Sequence, residues 1–420
     1  MRNFLSLLEK QDQKRIALIS PSGHHRLAEL MTRAHERRSN ALVGVRHAVV
    51  RNSAIDQFIV DLLAFDGFLK AFLLQPRSEN IFSDWEGFAG STYGTPLCSG
   101  EMTSWVMGTS GTTGTPKLIP HNLASLTATT KTDLAIGARH HWGLLYDPAR
   151  FAGLQVLLQA LISGAVLVAP EIEQGLDSAL DFMAEHGVTS LSATPSYWRK
   201  ILMSPAVDSL KLTQLTLGGE IADQAILSAL RRAFPEGRIV HIYASTEAGV
   251  GFSVGDDKAG FPFDYLADGG LKGVQLRVRD DGHLLIRKIH NSGPSFNGEF
   301  FDTEDIVEVK ADRVHFLGRA SGTINVGGNK VTPETVEAIL CSHPSVVAAR
   351  VFRKPNSLMG NLVVAEVQIS ASASTEITVN ALNEFCRAHL ERWQCPASIR
   401  VVEHIGLAAS GKLSRTVNHG

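Results

Sequence analysis

The chain has 420 residues, 44% of them hydrophobic and 20% charged, with 40 basic side chains against 42 acidic ones. That length exceeds a usual single domain, and the balanced charge leaves no footprint for nucleic acid or an anionic membrane surface, so a small-molecule partner is expected. The cysteines, Cys98, Cys341, Cys386 and Cys395, form no C-x-x-C pair, and no apolar run approaches the roughly 20 residues of a membrane span; a reducing cytoplasm is the expected setting.

In chain order, Arg15-Ile-Ala-Leu-Ile-Ser reads as a strand, Ser22-Gly23 as a turn and Leu27 through Ala34 as a helix. Ala48-Val-Val, then Ala54 to Phe65, repeat the strand and helix, and Phe72-Leu-Leu begins another strand. The apolar run Trp105 to Met107 leads into Thr109–Lys117. Beyond it, Gly153 to Ile162 is helical and stops at Gly164, followed by the strand Ala165 to Ala169, the helix Leu176 to His186 and the strand Val188 to Leu191. Leu212 to Leu217 makes a strand ending at Gly218-Gly219-Glu220, Asp223 caps a helix through Ala233, and Arg238 to Ile242 makes a strand ending at Tyr243. Such alternation predicts a parallel sheet covered by helices, with ligands beyond the carboxyl ends of the strands. Glu220 and Tyr243 to Glu247 then share a rim with Thr109.

From about Asp256, short strands with glycine turns, such as Gln275 to Val278 and His283 to Arg287, predict an antiparallel or barrel-like unit. The helix Pro333 to Leu340, the strands Val346 to Phe352 and Leu362 to Gln368, and the helix Ile377 to Leu390 predict a compact α+β tail. Val379, Leu382, Phe385, Cys386 and Leu390 share one face of that last helix and should line its core.

Thr109-Ser-Gly-Thr-Thr-Gly-Thr-Pro-Lys117 is the most specific stretch. Gly111 and Gly114 let a backbone close around phosphate oxygens, while Thr109, Ser110, Thr112, Thr113 and Lys117 supply donors to a polyanion. It is not a Walker loop, because Lys117 follows Pro116 and precedes Leu118. Tyr243-Ala244-Ser245-Thr246-Glu247 offers an aromatic face for a base, hydroxyls for phosphate and a carboxylate for a metal held against phosphates. Asp305 suits two ribose hydroxyls, with Arg319 as a further donor. Gly406 and Gly411-Lys412 almost spell a second Walker loop, but Leu413 replaces its Ser or Thr; a lysine on a glycine turn remains. Taken singly, each has a plainer alternative: a Ser/Thr/Gly linker, a surface turn, a turn acid or a frayed basic end.

In this order the motifs resemble the adenylate-forming superfamily, which includes acyl-CoA synthetases, aryl-acid and amino-acid adenylation domains and luciferases. The resemblance implies an α/β fold: a large N-terminal domain, residues 1–320, of parallel sheets covered by helices plus a barrel-like unit, then a small mobile α+β domain, residues 321–420. It implies that Thr109–Lys117 holds phosphates, that Gly218, Gly219, Glu220 and Tyr243 to Thr246 surround adenine and phosphate, and that Glu247 binds magnesium. It makes Asp305 and Arg319 the ribose pair, Ser321 the hinge and Lys412 the catalytic lysine. Arg150, Phe151 and Gly153 fall on the acid-pocket helix of the aryl-acid CoA ligases, with Arg150 in place of their gate histidine.

The implied reaction is attack of a small carboxylic acid on the α-phosphorus of ATP, giving an acyl-adenylate, then transfer to the thiol of coenzyme A or of an acyl carrier protein's phosphopantetheine. Departures from the pattern are the short stretch before Thr109, Glu304 where Gly is common before the ribose Asp, and Ser321 where Asp or Lys is usual. These keep open a degenerate nucleotide-binding homologue, and a luciferase-like oxygenase is a third class. Asp147 is the one candidate for binding an amino acid's amine, and its distance from Gly164 in sequence disfavours it.

Overall fold

The computed structural model describes residues 3–41, 47–77, 102–108, 118–246, 249–288, 299–370, 379–408 and 411–413. The predicted parallel sheet is two sheets. The larger has eight strands in the order Gly249–Val254, Arg238–Ser245, Gln214–Gly218, Ser190–Ala193, His141–Gly143, Val166–Val168, Ile16–Ser20, Gly23–Arg26. Its inner strands run parallel and both edges are antiparallel. The smaller runs His47–Arg51, Ala71–Gln75, Ser104–Gly108, Leu118–His121, the last strand antiparallel.

Ile16–Ser20 is buried almost throughout, as a strand covered on both faces must be. The turn at Ser22-Gly23 leads first into a short strand, Gly23–Arg26, and only then into the helix Leu27–Ala41. Glycine and aspartate signals place other boundaries as expected. Gly164 closes the helix Phe151–Ser163 in a left-handed conformation with φ 80°, and Asp223 caps Gln224–Ala233 by accepting from the Ile226 amide at 3.0 Å.

One buried carboxylate ties distant segments. Asp66 accepts from the Phe4 amide at 2.7 Å and from the Trp105 indole at 2.8 Å. Burial raises its pKa, partly offset by those bonds and by Arg38. It fixes the strand Ser104–Gly108, which leads to Thr109.

The barrel-like unit is a five-stranded antiparallel sheet ordered Phe261–Pro262, Arg313–Arg319, Phe301–Lys310, His283–Lys288, Val274–Val278. The tail is a mixed sheet of Asn329–Val331, Ile324–Val326, Gly360–Ile369 and Val346–Asn356, with Ser398–Val401 parallel to Gly360–Ile369. Helices Pro333–Ser342 and Val379–His389 contribute to its core. The predicted face of the second helix is narrower than expected. Leu382 and Cys386 are fully buried, Phe385 packs beside the rings of His343 and His389, and Val379 is 36% exposed. Burial pushes the Cys341 and Cys386 thiols up to about 11, so both are structural; Cys98 lies outside the described residues. Glu366, buried in the tail, bonds Arg350 and Arg400. Burial works to raise its pKa, but the two guanidinium groups win and lower it.

Candidate active site

The Gly218–Glu220 turn follows a strand whose last residue, Gly218, pairs with Ile242. Gly219 has φ 82°, a left-handed conformation natural to glycine, and a Cβ there would sit 3.2 Å from Lys412 Cε. The lysine's turn is thus docked on this rim. Leu413 N donates to Glu220 Oε1 at 2.6 Å, Ser196 N donates to Glu220 Oε2 at 2.9 Å, and Thr194 Oγ1 donates to Gly411 O at 2.5 Å. Within the turn, Leu407 and Leu413 form an antiparallel bridge and Ala408 N donates to Lys412 O at 2.8 Å. Beside it lies a cavity of about 270 Å³ lined by Tyr146, Ala193, Tyr197, Lys200, Leu407 and Gly411 among others. Burial lowers the Lys200 pKa and raises that of Tyr197.

The strand predicted to end at Tyr243 runs on to Ser245, because Ala244 and Ser245 pair with Val250 and Gly249 across an antiparallel edge. The Tyr243 ring lies nearly parallel to Phe252 and Phe316, with centroids 5.1 and 5.3 Å away. Its hydroxyl donates to Asp305 Oδ2 at 2.5 Å, and Arg319 Nε stands 3.5 Å from Asp305 Oδ1. Tyr243, Asp305 and Arg319 therefore form one cluster. Burial raises the Asp305 pKa, while the Tyr243 hydrogen bond and Arg319 work the other way.

Glu304 has φ 62°. It sits in a register shift of Phe301–Lys310, where His283 faces Ile306 but Leu285 faces Asp302. A bulge of this kind re-aims a side chain, here Asp305 towards Tyr243 and Arg319. The departure from Gly seen in the sequence falls where the backbone favours glycine.

Thr246 carries a contact that sequence reasoning missed: its carbonyl accepts from His121 Nε2 at 2.8 Å. His121 is buried, ends the strand that follows Lys117, and lies 5.7 Å from the Phe151 ring. A Cβ on Gly249 would lie 3.1 Å from Lys288 Nζ and 3.9 Å from Phe151 Cζ, which adds Lys288, its pKa lowered by burial, to the same corner. Only a histidine four residues past Lys117 hinted at this in the sequence.

Arg150 is the N-cap of Phe151–Ser163, without a side-chain cap bond. Gly153 answers to packing, since a Cβ there would fall 2.2 Å from Asp147 O. Asp147 itself accepts from Asn52 Nδ2 at 3.0 Å, Ala149 N at 2.9 Å and Arg77 N at 2.9 Å. Ser321 is exposed in a short 3-10 turn, Ala320–Gly322, just after Arg319. Thr109, Ser110, Gly111, Thr112, Thr113, Gly114, Lys117 and Glu247 lie outside the described residues. Among the described residues no cluster of three or more His, Cys, Asp or Glu suits a metal, and no helix is long and apolar enough to cross a membrane.

A family model described as AMP-binding enzyme matches residues 28–293, and one described as AMP-binding enzyme C-terminal domain matches residues 335–412. The chain is 29% identical over 330 residues to a probable 2-succinylbenzoate–CoA ligase of Mycobacterium tuberculosis, covering 74% of this chain and 82% of that one. It is 28% identical over 358 residues to an oxalate–CoA ligase of Arabidopsis thaliana, covering 74% and 65%. Its fold is similar to that of the anthranilate CoA ligase AuaEII in complex with anthranoyl-AMP, with TM-score 0.74 at 18% identity over 98% of this chain and 95% of that one.

Proposed function

Because the chain belongs to the AMP-binding enzyme family and is an ATP-dependent acid–thiol ligase, we propose that it activates a small aryl or acyl acid lacking an α-amine and hands the acyl group to coenzyme A. The observation that carries the proposal is the docking of the Lys412 turn on Gly219 and Glu220, 193 residues away from Leu413 in sequence. In that arrangement an ammonium stands at the rim where charge would build on an α-phosphate as the carboxylate attacks. Asp305 and Arg319 would hold the ribose, Tyr243 would border adenine, and Thr109–Lys117 would cradle the phosphates. Asp147 is engaged by three donors and leaves little for a substrate amine, which supports an acid without one. The acyl acids named for the relatives, succinylbenzoate and oxalate, carry a second carboxylate, a feature that Arg150 or Lys288 would suit.

Magnesium would be held mainly by the nucleotide's phosphates with Glu247 as a protein ligand. When bound it would neutralise charge on the phosphates. The domain division at about residue 320, with Ser321 as hinge, belongs to the same proposal: after adenylate formation the tail would turn, withdraw Lys412 and bring the Val326–Lys330 hairpin to the acceptor.

Pyrophosphate exchange into ATP across aryl, short-chain, fatty and amino acids tests the proposal. Exchange with an aryl or acyl acid, followed by thioester formation at micromolar coenzyme A, is expected. No exchange with any acid would leave a nucleotide-binding homologue. Thioester at millimolar coenzyme only, beside rapid loading of a carrier protein, would transfer the acceptor role to the carrier.

A further inference from the structure

We propose that Glu220 is a positioning residue that latches the Lys412 turn in place for adenylate formation, and that its release sets the partition between the two half-reactions. The inference rests on the ligase reading and deepens it.

The carboxylate spans two parts of the molecule. Oε2 accepts from Ser196 N, in the first turn of the helix Pro195–Met203, where free amides and the positive end of the helix dipole favour an anion. Oε1 accepts from Leu413 N, the amide next to Lys412. Both are hydrogen bonds to an ionised acceptor, a class roughly twice as strong as neutral pairs. The first bond stays within the large domain and aims the side chain. The second crosses to the tail and exists only while the Lys412 turn is docked.

Two neighbours reinforce the register. Thr194 Oγ1 donates to Gly411 O while accepting from Tyr197 N at 3.1 Å, so its hydroxyl is aimed by the same helix start. Gly219, held at φ 82°, leaves room for Lys412 Cε beside its backbone. The result is a three-residue receptor, Thr194, Gly219 and Glu220, for a three-residue turn, Gly411 to Leu413. Glu220 touches no reacting atom in this account; it acts through Lys412.

Glutamine at 220 has one amide oxygen and one NH₂, so it cannot accept from two N–H groups as the carboxylate does; one partner would face a donor. Glu220→Gln should therefore favour the undocked tail by roughly ten- to a hundredfold, the scale of a charge-assisted hydrogen bond. In the full chain, pyrophosphate exchange and thioester formation from a supplied acyl-adenylate are measured separately for wild type and Glu220→Gln. The expected result is a fall of tenfold or more in the ratio of the first rate to the second, carried by kcat. Amide hydrogen exchange without substrate supplies a second readout: residues 407–413 should exchange faster in Glu220→Gln, while Gln224–Ala233 keeps its protection. Equal loss of both half-reactions, a rise confined to the KM for ATP, or unaltered exchange at 407–413 would overturn the latch. If wild type forms no adenylate with any acid, the ligase reading fails, and the hydrogen-exchange comparison still decides whether Glu220 holds the turn.

Discussion

Replacing Lys412 by alanine separates chemistry from folding, because its side chain is exposed and its turn is held by backbone bonds. The Ala408–Lys412 hydrogen bond at 2.8 Å and the Leu407–Leu413 bridge do not depend on the side chain. Stability should therefore move by no more than about 0.5 kcal/mol, as for other exposed sites. Losing one donor to a developing charge costs about 2.7–4 kcal/mol, or 10²- to 10³-fold in rate. Lys412→Ala should thus lose pyrophosphate exchange on that scale with an unaltered melting midpoint. Thioester formation from a supplied acyl-adenylate should persist, since the lysine would by then have left the site. Equal loss of both half-reactions would refute the reasoning and the proposed domain turn with it. A large drop in melting midpoint would show instead that Lys412 holds the interface.

Glu304→Gly should stabilise the protein, since a non-glycine residue in the left-handed region costs about 1–2 kcal/mol and glycine's extra freedom when unfolded returns about 0.5–1 of it; a denaturation midpoint that falls would contradict the strain reading. Glu366 has a folded pKa below its ordinary 4.5, so its contribution is complete above that value and is lost as pH falls through the folded one. The melting temperature should decline below pH 4.5, and Glu366→Ala should remove that part of the acid dependence, both read from thermal melts across pH.

What the sequence carried was local chemistry. Gly164 and Asp223 marked helix ends because a left-handed cap and an N-cap are properties of single residues. The order of Gly218–Glu220, Tyr243, Asp305 and Lys412 pointed to a shared nucleotide rim, and the fold brings Gly219 against Lys412 and Tyr243 against Asp305 and Arg319. Pairings between distant segments were less visible. Tyr243 to Ser245 looked like a strand end because the antiparallel partner Gly249–Val254 has no signature of its own. Gly23–Arg26 contains two histidines and an arginine, a poor strand pattern that an edge position tolerates. His121 and Lys288 gave no motif, since their relation to Thr246 and Phe151 arises only when two sheets and the barrel-like unit meet. Glu304 was legible as a departure but not as a strained bulge, because φ is not written in a residue's name.

The Asp66 knot has a practical reach beyond the core that it serves. Its two donors come from the fourth residue of the chain and from the strand ending at Gly108. Removing or displacing Phe4 would strip that amide from a buried acceptor and cost about 1–3 kcal/mol. Trp105, the second donor, ties that cost to the strand Ser104–Gly108. Any handle joined ahead of Phe4 therefore needs a flexible spacer that leaves this amide in place.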